Sequence, residues 1–281
     1  MAEPIGVLAP GARAPEAPRP AFDTTVPHAS RMYDYLLGGK DNFAVDREAA
    51  EELVAIAPAT RRAVRENRAF HGRAVRYLAG EAGVRQFLDI GTGIPTADNT
   101  HEVAQRVAAD SRIVYVDNDP VVLAHARALL TSAHAGTVSY MNADLRDPET
   151  ILEAARRQLD FGEPVAIMLV LILHLIPDSD DPWRIVGRLV GAVPPGSYLV
   201  VSHPPTDMDA EASAAVARRV NQRMLTTPMT RRARAEVGRF FDGLDLLPPG
   251  LVPQNRWRPD RPLPDDEPDV ACYGAVGRKP G

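Results

Sequence analysis

A parallel α/β sheet with helices on both faces is what this sequence predicts, on three observations. From Gly80 onward, strand-like and helix-like segments alternate, the pattern that stacks βαβ units into a parallel sheet. The run Val165 to Leu173 is apolar throughout, as a strand must be when helices cover both its faces. Three helix starts carry an acid followed by proline, at Asp119-Pro120, Asp147-Pro148 and Asp181-Pro182. Proline suits the first helical position because its missing N–H has no partner there anyway.

Each element follows from local pattern. Residues 1 to about 22 are rich in Ala, Pro and Arg without periodicity and read as a disordered tail. Residues 23–80 read as a helical N-terminal cap. Val45 to Ala57 is a helix ended near Pro58, and Thr60 caps a longer one through Ala79, with Val64, Phe70, Ala74, Val75 and Leu78 on one stripe. The remaining residues, 81–281, form the sheet domain. Its strands are Gln86 to Ile90, Arg112 to Val116, Thr137 to Met141, Val165 to Leu173 and Ser197 to Ser202, with weaker ones at Leu244 to Leu247 and Asp269 to Val276. Helices are expected at Thr100 to Ala109, after each Asp-Pro pair, at Ala210 to Leu225 and at Arg231 to Phe241.

Composition narrows the function. The chain has 281 residues and a net charge of -5, without the basic face of a nucleic-acid binder. The arginines of residues 61–76 and 218–239 recur at helical spacing and read as solvated faces. The single cysteine, Cys272, excludes a disulfide within the chain and sits in an apolar run, as a buried inert thiol would. The N-terminus lacks a basic segment followed by an apolar one, so no secretory signal is read, and no apolar run is long enough to span a bilayer as a helix. A cytoplasmic protein acting on a small molecule, with no nucleic-acid or membrane partner, is the expectation. No Cys/His cluster suggests a metal.

In open parallel sheets ligands sit at the carboxyl ends of the strands, so the strand ends carry the argument. The first ends in Asp89-Ile90-Gly91-Thr92-Gly93. The glycines let backbone pass close to a ligand. A dinucleotide fingerprint would put a third glycine at position 96, where Thr96 stands, and a phosphate site would start its helix at once. Here Ile94 to Asn99 intervene, stiffened by Pro95, so no pyrophosphate cradle is built. The second strand ends at Asp117, placed to accept from both hydroxyls of a ribose, or else to form the turn. The third ends in Asn142-Ala143-Asp144-Leu145: Asp144 can accept from an exocyclic amine, and the Leu145 N–H can meet a ring nitrogen. Ribose and adenine without pyrophosphate point to S-adenosylmethionine. An NAD-dependent oxidoreductase is the competitor that the loop disfavours.

These residues resemble a known family. The order D-x-G-T-G, V-D-N-D-P, A-D-L-R-D resembles the class I S-adenosylmethionine-dependent methyltransferases. More closely, "RMYDYLLGGKDNFAVDREAAE", "QFLDIGTGIPTADNTHEVAQ", "VYVDNDPVVLAHARALL", "LHLIPDSDDP" and "FFDGLDLLPPGLVPQNRWRPD" are similar to an actinobacterial family of S-adenosyl methyltransferases of unknown function. The resemblance implies a Rossmann-like, mostly parallel seven-stranded sheet with a helical N-terminal cap. It implies that Asp89, Gly91 and Gly93 line the methionine end of the cofactor, that Asp117 and Asn118 take the ribose and flank the adenine, and that Asp144 and Leu145 hold the adenine edge. It also places Leu173-His174-Leu175 beside the sulfonium. Leu175 stands where relatives often carry an aromatic residue, which concerns the acceptor pocket only.

Methyl transfer requires alignment and water exclusion, with a base only if the acceptor holds its proton. His174 is the first candidate base, by its strand-end position and its near-neutral pKa; a packing histidine is the alternative. His203 is second, with a turn role before Pro204-Pro205 as the alternative. The segment "SRMYDYLLGGKDNF" is dense in charged and aromatic residues, and reads either as a lid with Tyr33 and Phe43 as walls or as a rigid turn on the core. Arg65 or Arg68, flanking Glu66 and Asn67, could pair with the cofactor carboxylate or simply face solvent. A cofactor-binding sensor without catalysis is the rival in function, because no decisive catalytic dyad is visible.

Overall fold

Three consecutive helices precede the first strand in the computed structural model, which describes residues 23–119, 121–122, 124, 138–223 and 228–281. They are α1 (Ala29–Leu37), α2 (Ala44–Ile56) and α3 (Thr60–Gly80). Gly38 ends α1 in the left-handed conformation, at φ 89°, and its N–H satisfies the last carbonyls of the helix. The stripe read on α3 is buried: Phe70, Ala74, Val75 and Leu78 pack with Phe87, Ile113, Ala166 and Met168 into a core on one face of the sheet. Helix α3 thus packs directly on the sheet.

The strands are β1 (Gln86–Ile90), β2 (Arg112–Asp117), β3 (Val138–Asn142), β4 (Val165–Val170), β5 (Tyr198–His203), β6 (Asp245–Leu246), β7 (Val252–Pro253) and β8 (Tyr273–Arg278). The other helices are α4 (Thr100–Val107), α5 (Pro148–Ala155), α6 (Pro182–Gly191), α7 (Ala210–Arg223) and α8 (Arg234–Gly238). Strands run in the order β3-β2-β1-β4-β5-β8-β6. The first five pair in parallel, and β8 enters antiparallel between β5 and β6. The expected seven strands become eight, because the two-residue β7 pairs with β8 off the main path. Chain order leaves β1 in opposite directions toward β2 and β4, so the cleft at its carboxyl end is the switch point where such sheets bind ligands.

Asp147 and Asp181 cap α5 and α6 through side chains that accept from Thr150 and Arg184 N–H groups, each with proline next, as the sequence predicts. Pro120 and most of the helix expected after it lie outside the described residues, as does the tail of residues 1–22. The fourth strand ends at Val170, not Leu173. Leu171 takes φ 54° and Leu173–Leu175 form a 3-10 turn, so the apolar run continues into a buried loop with its side chains still in the core. Helix α8 is likewise shorter than expected, at Arg234–Gly238 followed by a 3-10 turn.

Helices α1, α2 and α7 share a third core of Met32, Leu36, Ala49, Ala50, Leu53, Val216 and Val220. Residues of this layer and of the strand ends face one common cleft.

Candidate functional site

The strand ends and the α1, α2 and α7 layer enclose a cavity of about 810 Å³. Asp89, Gly91, Gly93, Asp117, Asn118, Asp144 and Leu145 all border it, and so do His174 and Tyr33. Its size suits a nucleoside together with a second small molecule.

The floor is the glycine loop. Gly91 has φ 75°, and a Cβ there would stand 2.5 Å from Ile172. Gly93 has φ 65° but room around it. Its N–H donates to Asp117 Oδ2 at 2.9 Å, while Asp119 N–H donates to Asp117 Oδ1 at 2.9 Å. Asp117 therefore forms the turn and still keeps one lone pair on each oxygen for a pair of hydroxyls. Burial raises its pKa above the usual carboxylate value, against the two backbone N–H groups.

The end of the cavity at Asp89 holds a cluster that the sequence reading missed. Thr100 Oγ1 donates to Asp89 Oδ2 at 2.5 Å, and His71 Nε2 lies 2.8 Å from the same hydroxyl. Since the threonine proton goes to Asp89, His71 donates from Nε2, and its buried Nδ1 is left with no partner. Burial lowers the His71 pKa, keeping the ring neutral. Through Thr100 the ring braces the Asp89 carboxylate, whose charge suits an ammonium group. The only sequence signals were a histidine on the inner stripe of α3 and a threonine at the start of α4.

At the other end, Asn118 Nδ2 donates to Asp144 Oδ2 at 3.0 Å. Arg146 fills the rest of Asp144 through its backbone N–H, Nε and Nη2. Burial pushes the Asp144 pKa up, but these donors win and the net shift is downward. All four acceptor positions of the carboxylate are occupied, so an exocyclic amine reaches it only by displacing Arg146 or Asn118.

Beyond the glycine loop, His174 is buried on the 3-10 turn after β4, with its Nδ1 unpartnered. The near-neutral pKa expected from its type is corrected: burial, then Arg231 and Arg232, push it down to about 3. His174 is a neutral acceptor. His203 does not border the cavity; it lies 3.0 Å from the Pro204 carbonyl through Nδ1 and 3.0 Å from Arg232 Nη1 through Nε2, and serves the β5 turn.

Tyr33 faces the cavity, and its hydroxyl accepts from Asn67 Nδ2 at 2.9 Å, while Asn67 Oδ1 accepts from Ser202 Oγ at 2.6 Å. Phe43, expected as a second wall, does not border the cavity and stacks under Arg31. The segment around Gly38-Gly39 is tied down: Asp34 accepts from Asp41 N–H and Asn42 Nδ2, and Arg31 pairs with Asp46 at 2.9 Å. A Cβ on Gly39 would collide with the Asp34 carboxylate. His28 and Ser30 reach across to Asp119 at 2.9 and 2.8 Å, joining the start of α1 to the end of β2. Of residues 65–68, Asn67 and Arg68 border the cavity, whereas Arg65 and Glu66 do not. Arg68 donates to the Ala97 carbonyl and Asn99 Oδ1, bracing the long loop before α4.

Among the described residues, no group of His, Cys, Asp and Glu could hold a metal, and no helix is long and apolar enough to cross a membrane. A cleft that can take ribose and adenine, but turns no helix terminus toward a pyrophosphate, belongs to the S-adenosylmethionine-binding class of α/β enzymes. The chain belongs to the S-adenosyl methyltransferase family, whose signature spans residues 15–280. It is similar to a DUF574 family protein from Streptomyces avermitilis, at 46% identity over 92% of this chain and 99% of that one, with a TM-score of 0.87. A protein from Thermobifida fusca is similar at 42% identity over 94% and 99%, with a TM-score of 0.88. No curated protein matches the chain. The protein is an S-adenosylmethionine-dependent methyltransferase.

Proposed function

We propose that the cofactor lies across the ends of β1, β2 and β3, and that a small-molecule acceptor enters from the side of β4, β5 and α7. The observation that carries this reading is Asp117. Its carboxylate is fixed by two backbone N–H groups at the rim of the cavity, with a free lone pair on each oxygen. Two further features support this reading: Gly91 has no space for a side chain, and the Asp89 carboxylate, braced by Thr100 and His71, borders the cavity.

In this arrangement Asp117 and Asn118 take the ribose, and Leu145 packs on the adenine while Asp144 and Arg146 face its edge. Asp89, Thr100 and His71 receive the amino-acid end. The bound cofactor supplies a methyl group on a positively charged sulfonium, open to in-line displacement. The apolar walls exclude water from that line. His174, which borders the cavity, accepts a proton when the acceptor brings one, and is otherwise a spectator. Tyr33, held by Asn67, orients the acceptor, with α1 and its turn as the cap. The tie of His28 and Ser30 to Asp119 supports a cap that closes on the nucleoside rim.

Calorimetric titration with S-adenosylmethionine, S-adenosylhomocysteine and NAD tests this. The two adenosyl ligands bind and NAD does not. Asp117→Asn keeps the side-chain shape but weakens adenosyl binding by about tenfold or more, as loss of charged hydrogen bonds should. Unchanged affinity in that variant would remove Asp117 from the site.

A further inference from the structure

The lobe of the cavity between α1, α2 and α7 is walled by Met32, Leu36, Leu53, Val216, Val220 and Met229. One cation interrupts this apolar wall. Arg231 Nη1 donates to Ser213 Oγ at 2.8 Å and lies 3.5 Å from the Pro205 carbonyl. Its Nε is buried without a partner. Among the described residues, Nη2 makes no hydrogen bond and no carboxylate pairs with the guanidinium. The other arginines of the cavity differ. Arg31 is paired with Asp46 and Arg146 with Asp144, and Arg68 spends its Nε and Nη2 on Ala97 and Asn99.

Position separates Arg231 from the cofactor. It contacts Pro205, just after β5, and borders the cavity together with Cys272, just before β8. The neighbouring Thr230 N–H donates to the His174 carbonyl at 2.7 Å, which sets Arg231 beside the loop after β4. The cofactor residues lie on β1, β2 and β3, at the other end of the strand order. Arg231 is half-buried, and the acid that acts on it, Asp209, also borders the cavity without forming an ion pair with it, so the guanidinium keeps part of the cost of leaving water. Arg231 borders the cavity, and its Nη2, which makes no hydrogen bond among the described residues, can donate to a carboxylate.

We propose that the methyl acceptor is an organic acid with a mostly apolar body, held by its carboxylate on the Arg231 guanidinium. The proposal rests on the cofactor reading above and names the substrate class for that site. Burial draws the Arg231 pKa down, so an incoming anion restores what the apolar wall costs the charge. The acid also lies on the side of the cavity that His174 borders, where a neutral imidazole can take a proton from a second group on the same molecule.

The test uses the full chain saturated with S-adenosylhomocysteine, titrated with benzoate, 2-naphthoate, 3-phenylpropanoate and octanoate, each beside its primary amide. In at least one frame the acid binds about tenfold or more tightly than the amide. Arg231→Gln abolishes that advantage, Arg231→Lys retains part of it, and neither changes S-adenosylhomocysteine affinity. The proposal is overturned if no acid outbinds its amide in any frame, or if the advantage survives in Arg231→Gln. It is equally overturned if the substitution weakens S-adenosylhomocysteine binding, because Arg231 would then serve the cofactor. Failure of S-adenosylhomocysteine to bind the unaltered protein would instead overturn the cofactor reading, and the proposal with it.

Discussion

Gly91 and Gly93 look equivalent in D-x-G-T-G, yet their surroundings differ. Both have positive φ, which costs a residue with a Cβ about 1–2 kcal/mol. Only Gly91 also faces a wall, with Ile172 2.5 Å from a would-be Cβ; at Gly93 the nearest atom is Ser30 Cβ at 3.9 Å. Gly91→Ala therefore loses a further ~1–3 kcal/mol to overpacking and displaces the loop. Thermal unfolding of the two alanine variants should show the larger loss at Gly91, with cofactor affinity falling in step. Equal losses would mean that backbone strain alone decides. His174 gives a second prediction at this scale. With its pKa held at about 3, it is neutral across the physiological range, so its titration puts no inflection near pH 6.5 into kcat/KM. A pH–rate profile of the enzyme and of His174→Gln checks this. An inflection near pH 6.5 that disappears in the variant would show that His174 titrates normally.

Among the elements, the loop after β4 depends on one side chain outside it. Arg232 is 1% exposed and donates to the Leu173 and Ile176 carbonyls and to Asp178, while its guanidinium stacks near Trp183 and Phe240. It pins the turn that carries His174. Arg232→Met keeps the length but strands two carbonyls and the His203 ring, at a cost of about 3 kcal/mol. Chemical denaturation should show that loss, with a disturbed acceptor side and near-normal S-adenosylhomocysteine affinity. A loss below about 1 kcal/mol would mean that the loop holds itself. The strand boundaries teach the converse lesson. Gln86 to Ile90 was legible because a short apolar run meets glycine at its end. Val165 to Leu173 was overextended because burial, not pairing, makes a residue apolar, and Leu173 is 0% exposed outside the sheet.

For the molecule as a whole, the buried histidines set the acid limit of stability. His71, His174 and His203 are all held below their ordinary pKa of 6.5 by burial, so the native protein keeps them neutral. The unfolded chain protonates them from about pH 6.5 downward. The unfolded state then binds more protons, and the stability that these groups allow is full above about pH 6.5 and declines as pH falls below it, for His174 toward about 3. His174 contributes up to about 1.4 kcal/mol per pH unit in that window. Melting temperatures from pH 8 to pH 5 should fall, and His174→Gln should flatten the slope. An unchanged slope in that variant would mean that His174 is solvated.

The sequence by itself determined the sheet class, the helix starts at Asp147 and Asp181, and the strand-end residues that border the cavity. Those signals are local: an acid and proline at a helix start, glycines at a strand end, an acid at the end of the next strand. Each is readable because the backbone geometry it serves is set by near neighbours. Only the tertiary structure decided the rest. His71 meets Asp89 through Thr100, and Arg231 enters an apolar wall beside His174, because α3, α4 and the segment before α8 fold back over strands far from them in the chain. What makes those side chains chemical, an unpartnered nitrogen or an unpaired charge, is a property of burial and of partners left unmet. No spacing along the chain encodes it.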